Sequence, residues 1–216
     1  MTPPDGRPAL SRRRVVAAAL EIVDREGVRG LTMRALGREL GVDPMAAYHH
    51  VPNKEAILDG VVEAVWAEVD PPPPSDLPWQ QQLVEVARSI RATLARHPNA
   101  LPLMASRPNV SVPGFEVVDH VLGVMLDAGL APEDALALVN AAGEFLLGHA
   151  LAETGPPLAG GDDDILDAVS DVDRDGRLPH LRRVLAEVDL SRVTSDAIFE
   201  AGVASLVAGA QQRLGV

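Results

Sequence analysis

The tetrapeptide Gly41-Val42-Asp43-Pro44 interrupts the chain between two helical stretches, and the tightness of that break constrains this sequence more than any other feature. Upstream, Thr32 carries the hydroxyl of an N-cap, and Met33, Leu36 and Leu40 recur at the spacing of one helix face. Gly41 supplies the backbone freedom of a helix C-terminus. Asp43 then restarts the chain as a second N-cap, with Pro44 at the first helical position, where its missing N–H costs nothing. Met45, Ala46 and Ala47 open a second helix, and two short helices joined this closely predict a helix-turn-helix. Arg34, Tyr48, His49, His50 and Lys54 surround the unit with donors that phosphate oxygens and base edges accept. Small residues at the second helix start permit close approach to a groove. On this reading Thr32, Arg34, Pro44, Met45, Ala46, Tyr48, His49, His50 and Lys54 form a surface for double-stranded DNA, with Met45, Ala46 and Ala47 limited to apolar contact with thymine methyls.

The rest of the chain is also helical in pattern. A first helix occupies the Ser11–Gly30 stretch, and Asn53 caps another from about Lys54 to Val69, whose Ile57, Leu58, Val61, Val62, Val65 and Trp66 make a broad apolar stripe. Pro71-Pro72-Pro73-Pro74 cannot continue it and predicts a stiff spacer. The junction placed there divides the chain into residues 1–70 and 71–216. Beyond it, helices are expected at 78–96, 115–129, 132–153, 164–173, 178–188 and 195–213, separated by Pro and Gly clusters, with no repeat and no strand. The predicted class is all-α: a three-helix head and a larger helical body. The 132–153 and 195–213 segments are apolar over much of their circumference, so they are buried on more than one side. Ala201, Gly202, Ser205, Ala208 and Gly209 give the last helix a small-residue face, which suits either an intramolecular core or the seam of a dimer.

A net charge of −12 argues against binding a polyanion through general basicity, but its distribution is uneven. Residues 1–58 carry 9 Lys+Arg against 7 Asp+Glu, and residues 59–216 carry 10 against 24. DNA affinity would therefore rest on the local constellation and be salt-sensitive. Arg12, Arg13 and Arg14 are open to two readings, a solvated helix face or phosphate contacts. The chain has no cysteine, which excludes disulfides and thiolate metal sites. Ser11-Arg12-Arg13-Arg14 superficially matches a twin-arginine export signal, but Glu21 and Asp24 break the apolar stretch such a signal needs. No run reaches the roughly 20 apolar residues of a membrane span, so the sequence predicts a soluble, cytoplasmic protein without a membrane partner. Its six histidines show no metal spacing, and no residue order suggests a nucleophile elbow. Asp171-x-Asp173-x-Asp175-Gly176 opens like a calcium loop, yet Arg182 stands where the closing Glu belongs, and Asp162, Asp163 and Asp164 suit a helix N-terminus. No catalytic residue, metal site or cofactor is expected.

The segment from Ser11 through the helix-turn-helix to Lys54 resembles the DNA-binding domain of the TetR family of bacterial transcription regulators. It keeps that family's order: helix, Gly30-Leu31-Thr32, turn, Tyr48-His49-His50-Val51, then Asn53-Lys54-Glu55-Ala56-Ile57-Leu58. Residues 79–108, the run Glu144-Phe145-Leu146-Leu147-Gly148-His149-Ala150-Leu151 and the final Phe199–Gly209 stretch are similar to the effector-binding domain of its tetracycline-repressor branch. The resemblance implies a homodimer in which the 132–153 and 195–213 helices form a four-helix bundle with their symmetry mates, and hence a palindromic operator. It implies a repressor released by a small-molecule effector. Leu103 stands where tetracycline repressors carry a magnesium-chelating histidine, and Ala152 where the acidic partner falls, so magnesium-tetracycline is not the expected effector. Polar Asn140, Glu144 and His149 on an apolar helix need partners, either one another, a dimer interface or a ligand. Leu103, Met104, Val121, Met125, Asn140, Glu144 and Phe145 are the candidate effector-binding residues, and a largely apolar ligand is expected. The alternatives are a small-molecule carrier or enzyme whose helix-turn-helix is vestigial, and an architectural or protein-recruiting module.

Overall fold

The computed structural model describes residues 9–73, 76–107, 110–155, 169, 173 and 176–215, and the described residues contain helices but no strand. The expected helix at 164–173 apart from residues 169 and 173, the acidic cap at 162–164 and most of the calcium-like loop lie outside them. Ser11 opens α1 (Arg12–Glu26) by accepting a bond from the Arg14 amide. Gly27, at φ +73°, ends that helix in a backbone region L side chains avoid. Next comes α2 (Met33–Leu40), capped by Thr32, and then α3 (Lys54–Trp66), capped by Asn53. The body contains α4 (Trp79–Arg96), α5 (Leu101–Ser106), α6 (Val112–Asp127), α7 (Pro132–Thr154), α8 (Pro179–Glu187) and α9 (Ser195–Leu214).

Two departures from the sequence reading have local causes. α6 begins three residues early, because Ser111 caps it and Pro113 is tolerated in a first turn. α5 was not anticipated. Its start is masked in sequence by Pro98 and Pro102, both of which occupy opening positions of short helical turns.

One continuous apolar core runs through the molecule. Val15, Ala19, Ile22 and Val23 of α1 have no exposed surface, and they share a cluster with Leu36, Ile57, Val61, Leu94, Leu101 and Phe199 from five further helices. The head and body thus share buried surface even though the chain between α3 and α4 has no regular secondary structure at 71–73. A smaller cluster around Leu83, Met125, Leu138 and Ala210 closes the far end of the body. α7 meets the length and apolarity of a membrane helix, with a mean hydropathy of 1.4 over its best window. It packs, however, on α4, α6 and α9 of the body and carries Asn140, Glu144 and His149 along its length.

The small-residue face of α9 divides in two. Ala201, Ser205 and Ala208 point outward, and with exposed Ile198 they form a stripe at helical spacing beside the exposed Ala137, Ala141 and Gly148 of α7. Gly202 instead faces inward. A Cβ there would lie 2.1 Å from Cζ of Phe145, so Gly202 serves the close approach of α9 to α7 within one chain. Gly202→Leu is therefore expected to lower the unfolding free energy by about 1–3 kcal/mol or more. Ala208→Leu, on the outward face, should leave this packing within the chain intact and change stability only as far as it alters contact between copies. Chemical denaturation monitored by circular dichroism checks the contrast.

Candidate DNA-binding and effector sites

The helix-turn-helix is built by local bonds. Thr32 Oγ1 accepts from the Ala35 amide at 3.1 Å, Gly41 takes the left-handed C-cap conformation at φ +68°, and Val42 N–H bonds the Gly37 carbonyl at 2.9 Å. Asp43 Oδ1 accepts from the Met45 amide at 2.8 Å, with Pro44 in the first turn. The segment that follows, Pro44–His49, is a 3₁₀ helix of six residues where an α-helix was expected. Only eight residues separate Asp43 from Pro52, and a proline disfavours α geometry in the residue before it, so the tighter helix fits the available chain. Gly37 lets this segment lie against α2, since a Cβ there would stand 3.0 Å from Pro44.

Of the residues assigned to DNA, Thr32, Arg34, Met45, His49, His50 and Lys54 are exposed, while Pro44, Ala46 and Tyr48 are half-buried. Met45 is 64% exposed and supports no core, which leaves its side chain free to act outward. Ala47 is buried and holds the segment to the head. Arg34 and Lys54 form no ion pair among the described residues, and neither does exposed Arg38, four residues after Arg34 on the same face of α2. By contrast Arg12 is paired with Glu63 and so is committed to the fold. Sequence reasoning missed Arg38, although its i,i+4 relation to Arg34 was visible. It also missed Arg107, which ion-pairs with Glu55 and Asp59 in the first turns of α3 and so offsets two carboxylates beside Lys54.

Five of the seven effector candidates meet at a cavity of about 560 Å³ between α4, α6 and α7, with Trp66 of α3 and Val203 of α9 in its wall. Met104, Val121, Met125, Asn140 and Glu144 line it. Leu103 and Phe145 do not. Leu103 lies in the continuous core, and Phe145 turns toward α9, where it stacks with His149 and Phe199. Trp66, Leu83, Leu94, Phe115 and Leu147 line the cavity without having been named as effector residues from the sequence. Asn140 and Glu144 are exposed at the rim; Asn140 donates to the Leu136 carbonyl at 2.8 Å, and Glu144 has no ion pair among the described residues.

His149 belongs to a different cluster. Buried between Phe145 and Phe199, it lies 3.3 Å from Ser195 Oγ and 3.5 Å from Glu153. Ser195 donates to Glu153 Oε1 at 2.5 Å, and Arg91, over the Phe199 ring, pairs with Glu153 and Asp196. Serine and carboxylate both approach Nε2 of His149, which leaves no separate nitrogen to act as a relay. The cluster fastens the first turn of α9 to α4 and α7. Asp173 is also structural: it accepts from the Leu178 amide, and Arg182 approaches its other oxygen at 3.8 Å.

An all-α chain with an exposed helix-turn-helix and a ligand-sized apolar cavity in its body is a ligand-responsive DNA-binding regulator. Residues 15–61 match the family of bacterial regulatory proteins typified by TetR, and residues 71–214 match the tetracyclin repressor-like C-terminal domain. The chain is 33% identical over 202 residues to the class A tetracycline repressor from transposon 1721 of Escherichia coli, covering 92% of this chain and 89% of that one. It is 32% identical over 148 residues to an HTH-type transcriptional regulator of Saccharopolyspora erythraea, an alignment spanning 68% of this chain and just under two thirds, 63%, of that protein. The fold superposes on the Streptomyces coelicolor TetR family protein ActR, solved in complex with actinorhodin, with a TM-score of 0.83, 27% identity and coverage of 95% of this chain and 97% of that one. The chain belongs to the TetR family of transcription regulators. Among the solved structures that the chain resembles, ActR is bound to actinorhodin, and BioQ, 32% identical over 68% of this chain with a TM-score of 0.61, is bound to its double-stranded DNA operator. The carrier and vestigial readings find no support in these relatives.

The α9 clasp makes a prediction of its own. The Arg91 bond, against an opposing burial effect and with help from Ser195, holds the Glu153 carboxyl at about 2 instead of the ordinary 4.5. A depressed carboxylate pKa contributes stability that is complete above the ordinary value and is lost as pH falls through the folded one. Between about pH 4.5 and pH 2 the wild-type melting temperature should therefore fall more steeply than that of Glu153→Gln, which starts lower at neutral pH. Thermal unfolding across that range measures both slopes.

Proposed function

We propose that this protein is a repressor whose head reads a palindromic operator through Met45, Ala46 and Tyr48, with Arg34 at a base edge and Lys54, His49 and His50 on the phosphate backbone. The exposed, unpaired donors around the turn support that division, since a guanidinium can bond guanine bidentately while an ammonium serves as a point charge. The effector is a small, largely apolar organic molecule held in the body cavity, oriented at the rim by Glu144 and Asn140 and bound without a metal ion. The observation that carries this reading is the cavity itself. Its volume suits a drug-sized ligand, its wall is mostly aliphatic, and Trp66 brings the helix that follows the reading segment into contact with whatever fills it. By linkage, the ligand-free and ligand-bound forms differ in affinity for operator by the same factor as operator-bound and free forms differ for ligand. The protein acts through binding alone, in the cytoplasm where the DNA lies, and its domains divide near Pro71. The outward stripes of α7 and α9 supply the contact between copies.

Binding-site selection from random DNA gives the operator. Arg34→Ala should then cost about 1–3 kcal/mol on that duplex and relax its sequence preference, whereas Lys54→Ala should weaken all sequences alike and lower the salt slope by about one unit. Equal losses on selected and random DNA would remove Arg34 from base reading. Val121→Trp, which fills the cavity, should bind operator normally and fail to release it when ligand is added. Retained release would place the effector elsewhere.

A further inference from the structure

One buried histidine of the chain lies in neither site. His97, at the end of α4, has a side chain only 8% exposed and is held on both ring nitrogens by carboxylates. Nδ1 is 3.0 Å from Asp24 near the end of α1, and Nε2 is 3.0 Å from Glu68 just beyond α3. A neutral imidazole has one N–H, so the two carboxylates are both satisfied only when both nitrogens carry protons. Neighbouring bonds extend the contact. Asn99 donates to the Asp24 carbonyl at 2.7 Å, Arg96 to Glu68 Oε2 at 3.1 Å, and Thr93 and Ser89 reach the Glu68 and Asp70 carbonyls. The end of α4 thus grips the last turn of α1 and the chain leaving α3 together. The same stretch borders the cavity, for Leu94 and Trp66 line its wall three and two residues from His97 and Glu68.

We infer that His97 is the residue that positions the DNA-binding head on the effector body, that it does so as an imidazolium bridging Asp24 and Glu68, and that operator affinity is therefore coupled to its protonation. The charged groups facing it are Asp24 from α1 and Glu68 after α3, with Arg96 of α4 reaching it through Glu68. α5 contributes no titratable side chain, and on the adjoining end of α7 Glu153 is engaged by Arg91. Burial alone would push the imidazole down, but the bonds to Glu68 and Asp24 outweigh it and hold the His97 pKa above its ordinary 6.5. The His97 bond likewise holds Glu68 below the ordinary carboxylate range, against burial and with help from Arg96. A raised histidine pKa gives a contact that is complete below the ordinary value and is lost as pH rises through the folded one. The head is thus held at neutral pH and loosened in alkali.

The inference rests on the proposed operator-binding reading, and the test separates the two. With a duplex selected by the wild-type protein from a random pool, affinity is measured by fluorescence anisotropy between about pH 6.5 and 9, without effector, for wild type, His97→Gln and His97→Arg. His49 and His50 also carry protonatable rings on the reading segment, so the informative quantity is the difference in slope between proteins. The wild type should lose affinity by about fivefold or more beyond the loss in either variant, within the range of ordinary coupling between sites. His97→Gln should bind weakly already at the low end. His97→Arg, which keeps a bridging cation, should retain affinity at pH 9. A wild-type slope in both variants would overturn the proposal, because a merely packed His97 would not change it. Histidine-selective NMR of the wild-type protein gives an answer even if a variant does not fold: a His97 resonance titrating at or below the ordinary value overturns the inference, and one titrating above it supports it. Failure to enrich any duplex would count against the operator-binding reading, and the NMR titration would still decide the clasp.

Discussion

The buried stripe of α1 is the constraint on which both halves depend. Val15, Ala19, Ile22 and Val23 surrender all their surface, and the residues that cover them come from α2 and α3 on one side and from the α4–α5 corner on the other. A helix so placed cannot shift relative to the body without exposing apolar area, at roughly 25 cal/mol for each Å² uncovered. Gly60 of α3 is part of the same fit, since a Cβ there would come within 2.5 Å of a Val16 methyl. The head is therefore seated on the body through its first and last helices, and only the reading segment between them is free of that duty.

Polar groups fix the orientation that apolar packing leaves loose. Arg107 ties the end of α5 to the start of α3, Arg12 ties the start of α1 to Glu63, and the Arg91–Glu153 cluster pins α9. Most of these pairs are partly exposed, where each contributes little on its own, and their value here lies in direction. They also sort the charge. Glu39, Glu55, Asp59 and Glu63 near the head are matched by arginines that the fold has already committed, and the cations without an ion pair there, among the described residues, include Arg34, Arg38 and Lys54. A strongly acidic protein can in this way present a local surface that suits a polyanion.

What the sequence revealed, and what it hid, follows the range of the interactions involved. Caps and breaks are local, so Thr32, Gly41, Asp43 and Asn53 announced their elements, and the helix-turn-helix could be read from adjacent residues. Side-chain direction within a helix was harder. Neighbours on a helix point roughly 100° apart, so the apolar runs around Met104 on α5 and Glu144 on α7 gave no means of telling that Leu103 and Phe145 do not line the cavity. The inward turn of Gly202 was hidden for the same reason, because its partner Phe145 lies on another helix. Residues that act across long separations left no trace at all: His97 and Asp24 are 73 positions apart, and a histidine before a proline reads as loop.

The frame of the reading segment and its outward side chains are held by different residues. Gly37, Pro44 and Ala47 set the close seat against α2, while Met45, His49 and His50 are exposed. Exchanging those outward side chains costs the fold little, so this head has room to vary the sequence it recognises while its scaffold stays unchanged. Divergence in target preference within such a lineage can accumulate one residue at a time, with each intermediate still folded and available to selection.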